Sequence, residues 1–254
     1  MAHPQKNSSD YIIYGRNTVK EALATGQDVH SLYVYRGIVD PEISSLDETA
    51  RARGIAISRV ERDVLSKLTG TDKHQGIACR LNSFTTFVLK EILASKKQMD
   101  QSIAVVLDSI NDPGNLGAII RSSSAAGVDF LVMNDKRSCP LSSAVFKTSQ
   151  GGIFHLPVCR EVNLARSMEK LKDSGYWVYG FEAGAQKNYF EADFKGKVAL
   201  VFGSEGKGLR ELTEKSCDML LRIPIKKSIN SLNVSVCAAL GIFEVLRQRA
   251  LQNS

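Results

Sequence analysis

The sequence predicts an α/β protein of two units, a small one at the N-terminus and a larger one with a mostly parallel, doubly wound sheet behind it. Two observations support this fold class. Short apolar or β-branched runs alternate with segments of helical spacing along the chain. In the second half, residues 103–107 are apolar without interruption, which is typical of a strand buried on both faces.

The first unit reads as alternating helices and strands over about 80 residues. Pro41 suits the first turn of a helix, and Gly54 suits the position just past a helix end. The strand at 32–35 is rich in aromatic and β-branched residues. The predicted elements are a short apolar run at 11–14, a helix at 17–24, a strand at 32–35, a helix at 41–53, a strand at 55–57, a helix at 62–68 and a strand at 76–81.

A polar stretch at 95–101 marks the boundary between the units, although it could equally be one solvated helix end. A helical patch precedes it within 84–97. The first ten residues are polar and contain Pro4, so they do not resemble a signal peptide. We therefore expect a disordered tail at 1–10, a first domain at 11–83, a linker at 84–101 and a second domain at 102–254.

The second unit continues the alternation of strands and helices and ends in a long helix. Gly127 and Gly175 close two of its helices. The predicted strands are 103–107, 130–133, 156–158, 177–181, 198–202 and 219–223. The predicted helices are 116–126, 142–149, 164–172 and 232–252.

Composition excludes several classes of protein. The five cysteines are odd in number and scattered without a Cys-x-x-Cys pair, so we expect no disulfide framework and no metal site. Reduced thiols favour a cytoplasmic protein. The longest nearly apolar stretch, 234–243, is shorter than the roughly 18–20 residues of a membrane span. The net charge of +6 is compatible with a polyanionic partner, and equally with a solvated cationic surface.

Three unusual loops follow predicted strands, and open α/β sheets bind ligands at the carboxyl ends of their strands. The first is Asp112-Pro113-Gly114-Asn115, with Arg121 behind it. An ordinary turn with Asn115 as helix N-cap would explain most of this loop. It explains Arg121 less well, because an arginine on an otherwise apolar helix needs a polar outlet.

The second loop, residues 203–208, has three glycines around Glu205. It is not a phosphate-binding P-loop, because Val201 stands where that pattern has its first glycine, and no Gly-x-Gly-x-x-Gly is present. Glycines let a backbone approach a ligand closely. A plain tight turn is the alternative, but it gives Glu205 no role.

The third loop precedes the terminal helix. Ser231 or Asn230 would cap that helix, with Asn233 in its first turn. The helix carries an apolar stripe that would pack in the core or form a dimer surface. The stripe comprises Leu232, Val236, Ala239, Leu240 and Phe243.

Taken together, the three loops resemble the three sequence motifs of the SpoU family, a branch of the SPOUT class of RNA methyltransferases. The matching residues are Asn115, Gly117 and Arg121 in the first motif, Gly203, Glu205, Gly206 and Gly208 in the second, and Pro224, Ser231, Leu232 and Asn233 in the third. A Lys-x-Ser-x-Gly pattern ahead of a Leu-Pro strand is also similar to the family, at Lys147, Ser149, Gly151 and Leu156-Pro157, with Gly152 in place of the more usual alanine.

The first unit carries two shorter resemblances. Tyr14-Gly15 before a helix and His74-Gln75-Gly76 before a strand are similar to the small, L30e-like RNA-binding domain of the RlmB-type enzymes, which methylate a guanosine of large-subunit (23S) ribosomal RNA. The resemblance implies an α/β-knot with a deep trefoil in the second domain, S-adenosylmethionine bound at the knot, and a homodimer. Pattern rules alone would exclude a knot.

The resemblance also implies roles for individual residues. Arg121 would lie on the RNA near the ribose and its phosphate; because a guanidinium stays protonated, it would stabilise negative charge while a phosphate or water takes the proton. Asn115 would orient Arg121 or the ribose. Glu205 would fix the arginine or a backbone amide.

The remaining implied roles concern the third motif and the cofactor. Ser231 and Asn233 would hydrogen-bond the ribose or hold the knot loops. Cofactor binding would fall to four residues, of which the first three use their backbone to cradle the adenosine: Gly203, Ile223, Leu232 and Gly208.

Three alternatives stay open at this point. The chain could be an RNA-binding protein of the same fold that has lost catalysis. It could be a nucleotide-dependent oxidoreductase or kinase, which the missing fingerprints disfavour. Within the methyltransferases, the target could be transfer RNA or a ribosomal adenosine.

Overall fold

The computed structural model of the protein describes residues 4–7, 11–226 and 231–251. Two sheets organise these residues. The smaller belongs to the N-terminal unit, and the larger runs through the rest of the described chain. In chain order, the first seven strands are β1 (Pro4–Asn7), β2 (Tyr11–Tyr14), β3 (Val29–Tyr35), β4 (Ala56–Val60), β5 (Ile77–Leu81), β6 (Phe84–Phe87) and β7 (Ser102–Leu107).

The N-terminal unit is a four-stranded sheet in the order β2-β5-β3-β4, with β3 and β4 parallel and the other neighbours antiparallel. Its helices are α1 (Arg16–Ala24), α2 (Pro41–Ala52) and α3 (Arg62–Thr69). Asp40 caps α2 by accepting the backbone amides of Glu42 and Ile43. Pro41 starts the helix, as the sequence predicts, because its missing N–H is not needed there.

The larger unit adds six strands and six helices in the described ranges. Its strands are β8 (Phe130–Asn134), β9 (Val158–Glu161), β10 (Trp177–Phe181), β11 (Lys187–Asn188), β12 (Lys197–Phe202) and β13 (Met219–Arg222). Its helices are α4 (Leu89–Ser95), α5 (Pro113–Ala125), α6 (Ser143–Thr148), α7 (Leu164–Asp173), α8 (Glu211–Lys215) and α9 (Val234–Ala250), with 3-10 turns at Gly152–Phe154 and Tyr189–Glu191.

The large sheet has the order β1-β6-β9-β8-β7-β12-β10-β13-β11, and β1–β6 is the antiparallel pair among its described neighbours. Every residue of β7 is buried. Val105 packs with the core that includes α5 and α9, whereas Val106 packs with the core that includes α4 and α7. Helices therefore cover both faces of the sheet, as the uninterrupted apolar run predicts.

The N-terminal unit packs tightly on the larger one. Their apolar residues form one continuous core cluster that reaches from Ile13 to Val245. An aromatic group joins β2, β6 and α6, with the rings of Phe84 and Phe146 5.0 Å apart and edge to face. The Thr18 hydroxyl on α1 donates to the Phe146 carbonyl at 3.3 Å.

Several sequence predictions are wrong in detail. Residues 4–7 of the expected disordered tail form β1, which pairs with β6. Residues 84–87 of the expected linker form β6, which alternates buried Phe84 and Thr86 with less buried neighbours, so the helix of that segment starts only at Leu89. The strand expected at 156–158 lies at Val158–Glu161, and the helix expected from 232 starts at Val234. The division into domains at these boundaries stays a prediction.

No helix in the described part of the chain is long and apolar enough to cross a membrane. Across the same residues, no group of His, Cys, Asp or Glu side chains is placed to hold a metal ion. The five cysteines are free thiols. Burial raises the pKa of the Cys159 thiol to about 12, so this thiol stays protonated at neutral pH.

Candidate active site

The three loops predicted from the sequence meet at the carboxyl edge of the large sheet. The side-chain amide of Asn115 donates to Glu205 Oε2 at 3.1 Å, across 90 positions of sequence. The amide of Asn233 donates to Asn115 Oδ1 at 2.9 Å, across 118 positions. One residue of each loop thus belongs to a single hydrogen-bonded chain, with Asn115 at its centre.

The first loop owes its shape to Asp112, which is the N-cap of α5. The Asp112 carboxylate accepts the Asn115 backbone amide at 2.6 Å, and Pro113 occupies the first turn. The prediction of Asn115 as N-cap is therefore wrong. Because Asp112 satisfies the helix end, the Asn115 side chain is available to reach the other two loops.

Arg121 lies on α5 and is exposed. Within the part of the chain that the structure describes, its side chain has no hydrogen bond or ion pair. Asn115 and Glu205 bond to each other. The expected roles, Asn115 toward Arg121 or the ribose and Glu205 toward the arginine or a backbone amide, stay predictions. Arg121 faces outward, which is where a large substrate would have to approach.

The second loop is a small closed turn. Ser204 and Gly208 exchange both backbone hydrogen bonds at 3.0 Å. Gly206 and Gly208 have φ of 78° and 65°, a conformation that favours glycine. A Cβ on Gly203 would lie 2.2 Å from the backbone of Gly208, so residue 203 has no room for a side chain. The turn carries Glu205 near its tip.

The third loop leads into α9. Asn233 is the N-cap of that helix, and its Oδ1 accepts the Ser235 amide at 2.9 Å. The prediction of Ser231 as cap is wrong, and its alternative, Asn230, lies outside the described residues. Asn233 has a double use: its carbonyl oxygen holds the helix end while its amide nitrogen bonds to Asn115.

A cavity of about 410 Å³ opens beside the hydrogen-bonded residues Glu205, Asn115 and Asn233, at the ends of β10, β12 and β13. That volume falls in the range of small-molecule sites, about 300–1,000 Å³. The sequence-predicted residues that line it are Gly203, Gly208, Ile223, Leu232, Glu205 and Ser231. Asn115 and Asn233 reach it through Glu205, and Arg121 is not among its lining residues.

Glu182 lines the same cavity and was missed by sequence reasoning, because it follows β10 without any motif around it. Its carboxylate accepts the Leu209 amide at 3.3 Å and the Ala183 amide at 3.1 Å. Among the described residues of the lining, the charged side chains are Glu182, Glu205 and Lys207. Two carboxylates against one ammonium make the cavity suited to a cationic ligand.

Behind the glycine turn, a buried carboxylate pairs with a partly exposed arginine. Asp108 follows β7 and is fully buried, and its carboxylate accepts Arg210 Nε at 2.6 Å and the Arg210 backbone amide at 3.1 Å. This pair anchors the segment that leaves the turn to the end of the central strand. Cys237 lies at the cavity wall, and burial raises the pKa of its thiol, so it acts there as a neutral group.

The fold and this three-loop site define a class, that of the α/β RNA methyltransferases, and comparisons with known proteins agree. The SpoU rRNA methylase family matches residues 102–243, and the RNA 2′-O ribose methyltransferase substrate-binding family matches residues 12–87. The chain belongs to the SpoU family of RNA methylases, which confirms the resemblance of the loop motifs.

Relatives of known sequence are similar over nearly all of the chain. A putative TrmH family tRNA/rRNA methyltransferase of Staphylococcus haemolyticus is 36% identical over 94% of this chain and 96% of the relative. An uncharacterized tRNA/rRNA methyltransferase of Synechocystis is 37% identical over 94% of this chain, which spans 62% of that longer relative.

Solved structures share the fold. The crystal structure of an RNA 2′-O ribose methyltransferase has a TM-score of 0.80 and 26% identity, covering 96% of this chain and 90% of that one. An AdoMet-bound rRNA methyltransferase from Sinorhizobium meliloti has a TM-score of 0.79 and 24% identity, covering 94% and 87%. The α/β fold with a mostly parallel sheet and an N-terminal substrate-binding domain is thereby confirmed.

Proposed function

We propose that the protein methylates a ribose 2′-hydroxyl in RNA, that its target is a guanosine of large-subunit ribosomal RNA, and that S-adenosylmethionine is the methyl donor. The observation that supports this most is the hydrogen-bonded chain of Glu205, Asn115 and Asn233 at the edge of the cavity. It brings the three family motifs to the place where a small cofactor and a large substrate can both be reached.

The cavity fits the proposed cofactor. S-adenosylmethionine carries a sulfonium and an activated methyl group, and the excess of carboxylates among the described lining residues complements its positive charge. Leu221, Ile223 and Leu232 offer an apolar surface for a purine, and Gly203 and Gly208 keep the turn free of side chains. These residues bind and position the donor rather than take part in bond making.

Arg121 is the proposed catalytic residue on the RNA side. A guanidinium stays protonated at ordinary pH and so cannot serve as the base. Its exposed position on α5 suits a role next to the ribose and its phosphate, where it would stabilise the negative charge that develops on the 2′-oxygen. A phosphate or water would accept the proton. Ser231, exposed at the cavity mouth, would hydrogen-bond the ribose.

Ribosomal RNA is proposed over transfer RNA because of the N-terminal domain, whose Tyr14-Gly15 and His74-Gln75-Gly76 segments are similar to those of ribosomal RNA enzymes. The relatives' descriptions name both RNA classes. A homodimer and a cytoplasmic location belong to the same proposal. Val236, Leu240 and Phe243 form an exposed apolar row on α9 that a second copy would cover. A knotted C-terminal domain and an L30e-like N-terminal domain stay predictions.

Mapping of 2′-O-methyl groups in ribosomal and transfer RNA, from cells with and without the gene, tests the proposal. We expect one ribosomal guanosine to lose its methyl group when the gene is deleted. Loss at a transfer RNA site would correct the substrate but keep the reaction. If no methyl group is lost and the purified protein binds RNA but not S-adenosylmethionine, the protein is a non-catalytic member of the fold and the proposal fails.

A further inference from the structure

The segments around Tyr14, Gln75 and Lys147, which have no part in the proposed catalytic role, meet at the junction of the two units. Lys147 on α6 donates its ammonium to Gln75 Oε1 at 2.5 Å and lies 5.9 Å from the centre of the Tyr14 ring. Gln75 Oε1 also accepts the Arg16 backbone amide at 3.2 Å. Gly15 packs here as well, since a Cβ on it would lie 2.1 Å from Lys147 Nζ.

The loop that presents Gln75 is rigidly held. Gln75 has a φ of 60°, a left-handed conformation that a non-glycine residue adopts only where its surroundings impose it. His74 is buried and its Nδ1 accepts the Gly76 amide at 3.0 Å. Because Nδ1 accepts that amide, the proton of the ring is on Nε2, and burial lowers the pKa of His74. That Nε2 lies 3.2 Å from the Ser66 hydroxyl, which donates onward to Asp72.

The charge of Lys147 is not balanced at this junction. In the described residues no carboxylate lies within ion-pair distance of its ammonium, which contacts a neutral amide oxygen and a ring face. The neighbouring Arg16 differs, because it pairs with Asp40 at 2.8 Å and Glu42 at 3.8 Å. Partial burial lowers the pKa of Lys147.

Lys147 is also close in the fold to the first motif. The hydroxyl of the next residue, Thr148, donates to the Pro113 carbonyl at 3.1 Å. Gly117 packs so closely on this helix that a Cβ would lie 1.8 Å from Thr148 Oγ1. Helix α6 thus packs directly on α5, the helix that carries Asn115 and Arg121. The ammonium therefore lies at the N-terminal unit, on a helix that packs against the helix of the first motif.

We propose that Lys147 binds a backbone phosphate of the RNA strand, close to the nucleotide that is methylated, where the strand passes from the N-terminal unit to the active site. This inference rests on the proposed function. Phosphate contacts of lysine position an RNA without reading its sequence. Gln75 and Tyr14 hold the ammonium in place, and the phosphate supplies the missing negative charge.

The test compares two lysine variants that change the net charge equally. K147Q removes the proposed contact, and K90Q removes the charge of an exposed lysine on α4 that has no ion pair in the described ranges. The probe is an unmodified transcript of large-subunit ribosomal RNA, and its binding is measured over a series of salt concentrations. Each phosphate contact contributes about 0.7–0.9 to the slope of log affinity against log salt.

We expect K147Q to weaken RNA binding and to lower that slope by about 0.7–0.9, K90Q to leave the slope unchanged, and K147R to restore it. If Lys147 only holds the two units together, K147Q loses RNA affinity without any change in the salt slope, and that result overturns the inference. An equal change of slope in K147Q and K90Q also overturns it. Titration with S-adenosylmethionine is read separately: if the wild-type protein does not bind it, the proposed function fails whatever the slopes are. A transfer RNA transcript takes the place of the probe if methyl mapping points to that substrate.

Discussion

Asn233 donates its side-chain amide to Asn115 at 2.9 Å, and this one bond ties the start of the last helix to the loop that follows the central strand. Asn115 passes the connection on to Glu205 at 3.1 Å. The side-chain amide of Asn115 thus uses its oxygen as an acceptor and its nitrogen as a donor. A change at Asn115 therefore disturbs three loops at once.

Asn115→Asp is expected to slow methylation by about 10- to 100-fold. The substitution replaces the amide that donates to Glu205 by a second carboxylate. Losing a hydrogen bond to a charged group costs about 1.5–3 kcal/mol. Turnover at saturating RNA and cofactor measures the effect. Gln98→Glu makes the same chemical change at an exposed residue and serves as the control. Unchanged turnover in Asn115→Asp would show that the bond has no part in the reaction.

Arg121→Ala is expected to lower turnover by about 10²–10³-fold, the usual effect of losing one donor to a developing anion. The affinity for S-adenosylmethionine should hardly change, since Arg121 does not line the cavity. Single-turnover kinetics and calorimetric titration measure the two effects. Arg166→Ala, at an exposed position of α7, is the control. Near-normal turnover in Arg121→Ala would refute the catalytic role.

Glu182→Gln is expected to weaken binding of S-adenosylmethionine by about threefold to tenfold, while binding of S-adenosylhomocysteine, which lacks the sulfonium charge, changes less. The reason is the removal of one of the two carboxylates found among the described residues of the lining. Calorimetry with both compounds gives the ratio, and Glu169→Gln on the exposed side of α7 is the control. Equal losses for the two compounds would mean that Glu182 only supports the Leu209 amide.

Asp108→Ala is expected to lower the free energy of unfolding by about 2 kcal/mol, because the Arg210 amide and its partly exposed guanidinium lose their buried acceptor. Urea denaturation measures the change. Asp63→Ala removes half of an exposed pair with Lys67 at 3.8 Å, and it should stay within about 0.5 kcal/mol of the wild type. Similar losses in both variants would argue against an anchoring role for Asp108.

Stability should fall at alkaline pH, in part through Tyr176. Burial raises the pKa of its phenol from 10.0 to about 12, and its hydroxyl donates to Ser102 at 2.7 Å. Between these pH values the unfolded chain releases this proton and the folded protein keeps it, so the free energy of unfolding decreases as pH rises.

Tyr176→Phe removes this contribution, and its stability should decline less steeply in that window, by up to about 1.4 kcal/mol per pH unit. Urea denaturation at a series of pH values compares it with the wild type and with Tyr33→Phe, a half-exposed tyrosine of β3. A wild-type slope in Tyr176→Phe would contradict the assignment.

Sequence patterns were sufficient for the elements whose signal is local. The apolar run of β7 and the span of β10 at Trp177–Phe181 follow from composition and periodicity alone. Strands β1 and β6 do not, because each is four residues long and they pair with each other across more than seventy positions. Nothing in the polar residues 4–7 marks them as a strand before that partner is known.

The candidate site shows the same limit. The loops could be found because glycine, proline and asparagine mark turns at strand ends. The caps predicted from the sequence lie two or three residues away from Asp112 and Asn233, since several residues in each loop can accept a backbone amide. Glu182 contacts the Leu209 amide, and Lys147 contacts Gln75. Both contacts join residues far apart in sequence, so only the folded chain brings them together.

The close contact of Gly203 with Gly208 leaves no room for a side chain at residue 203, the base of the glycine turn. Anyone who wants this enzyme to accept an altered methyl donor should therefore randomise Lys207, which lines the cavity, and leave the base of the turn and Glu205, which bonds to Asn115, as they are. Such variants could be tested with other methyl donors while the backbone of the turn keeps its shape.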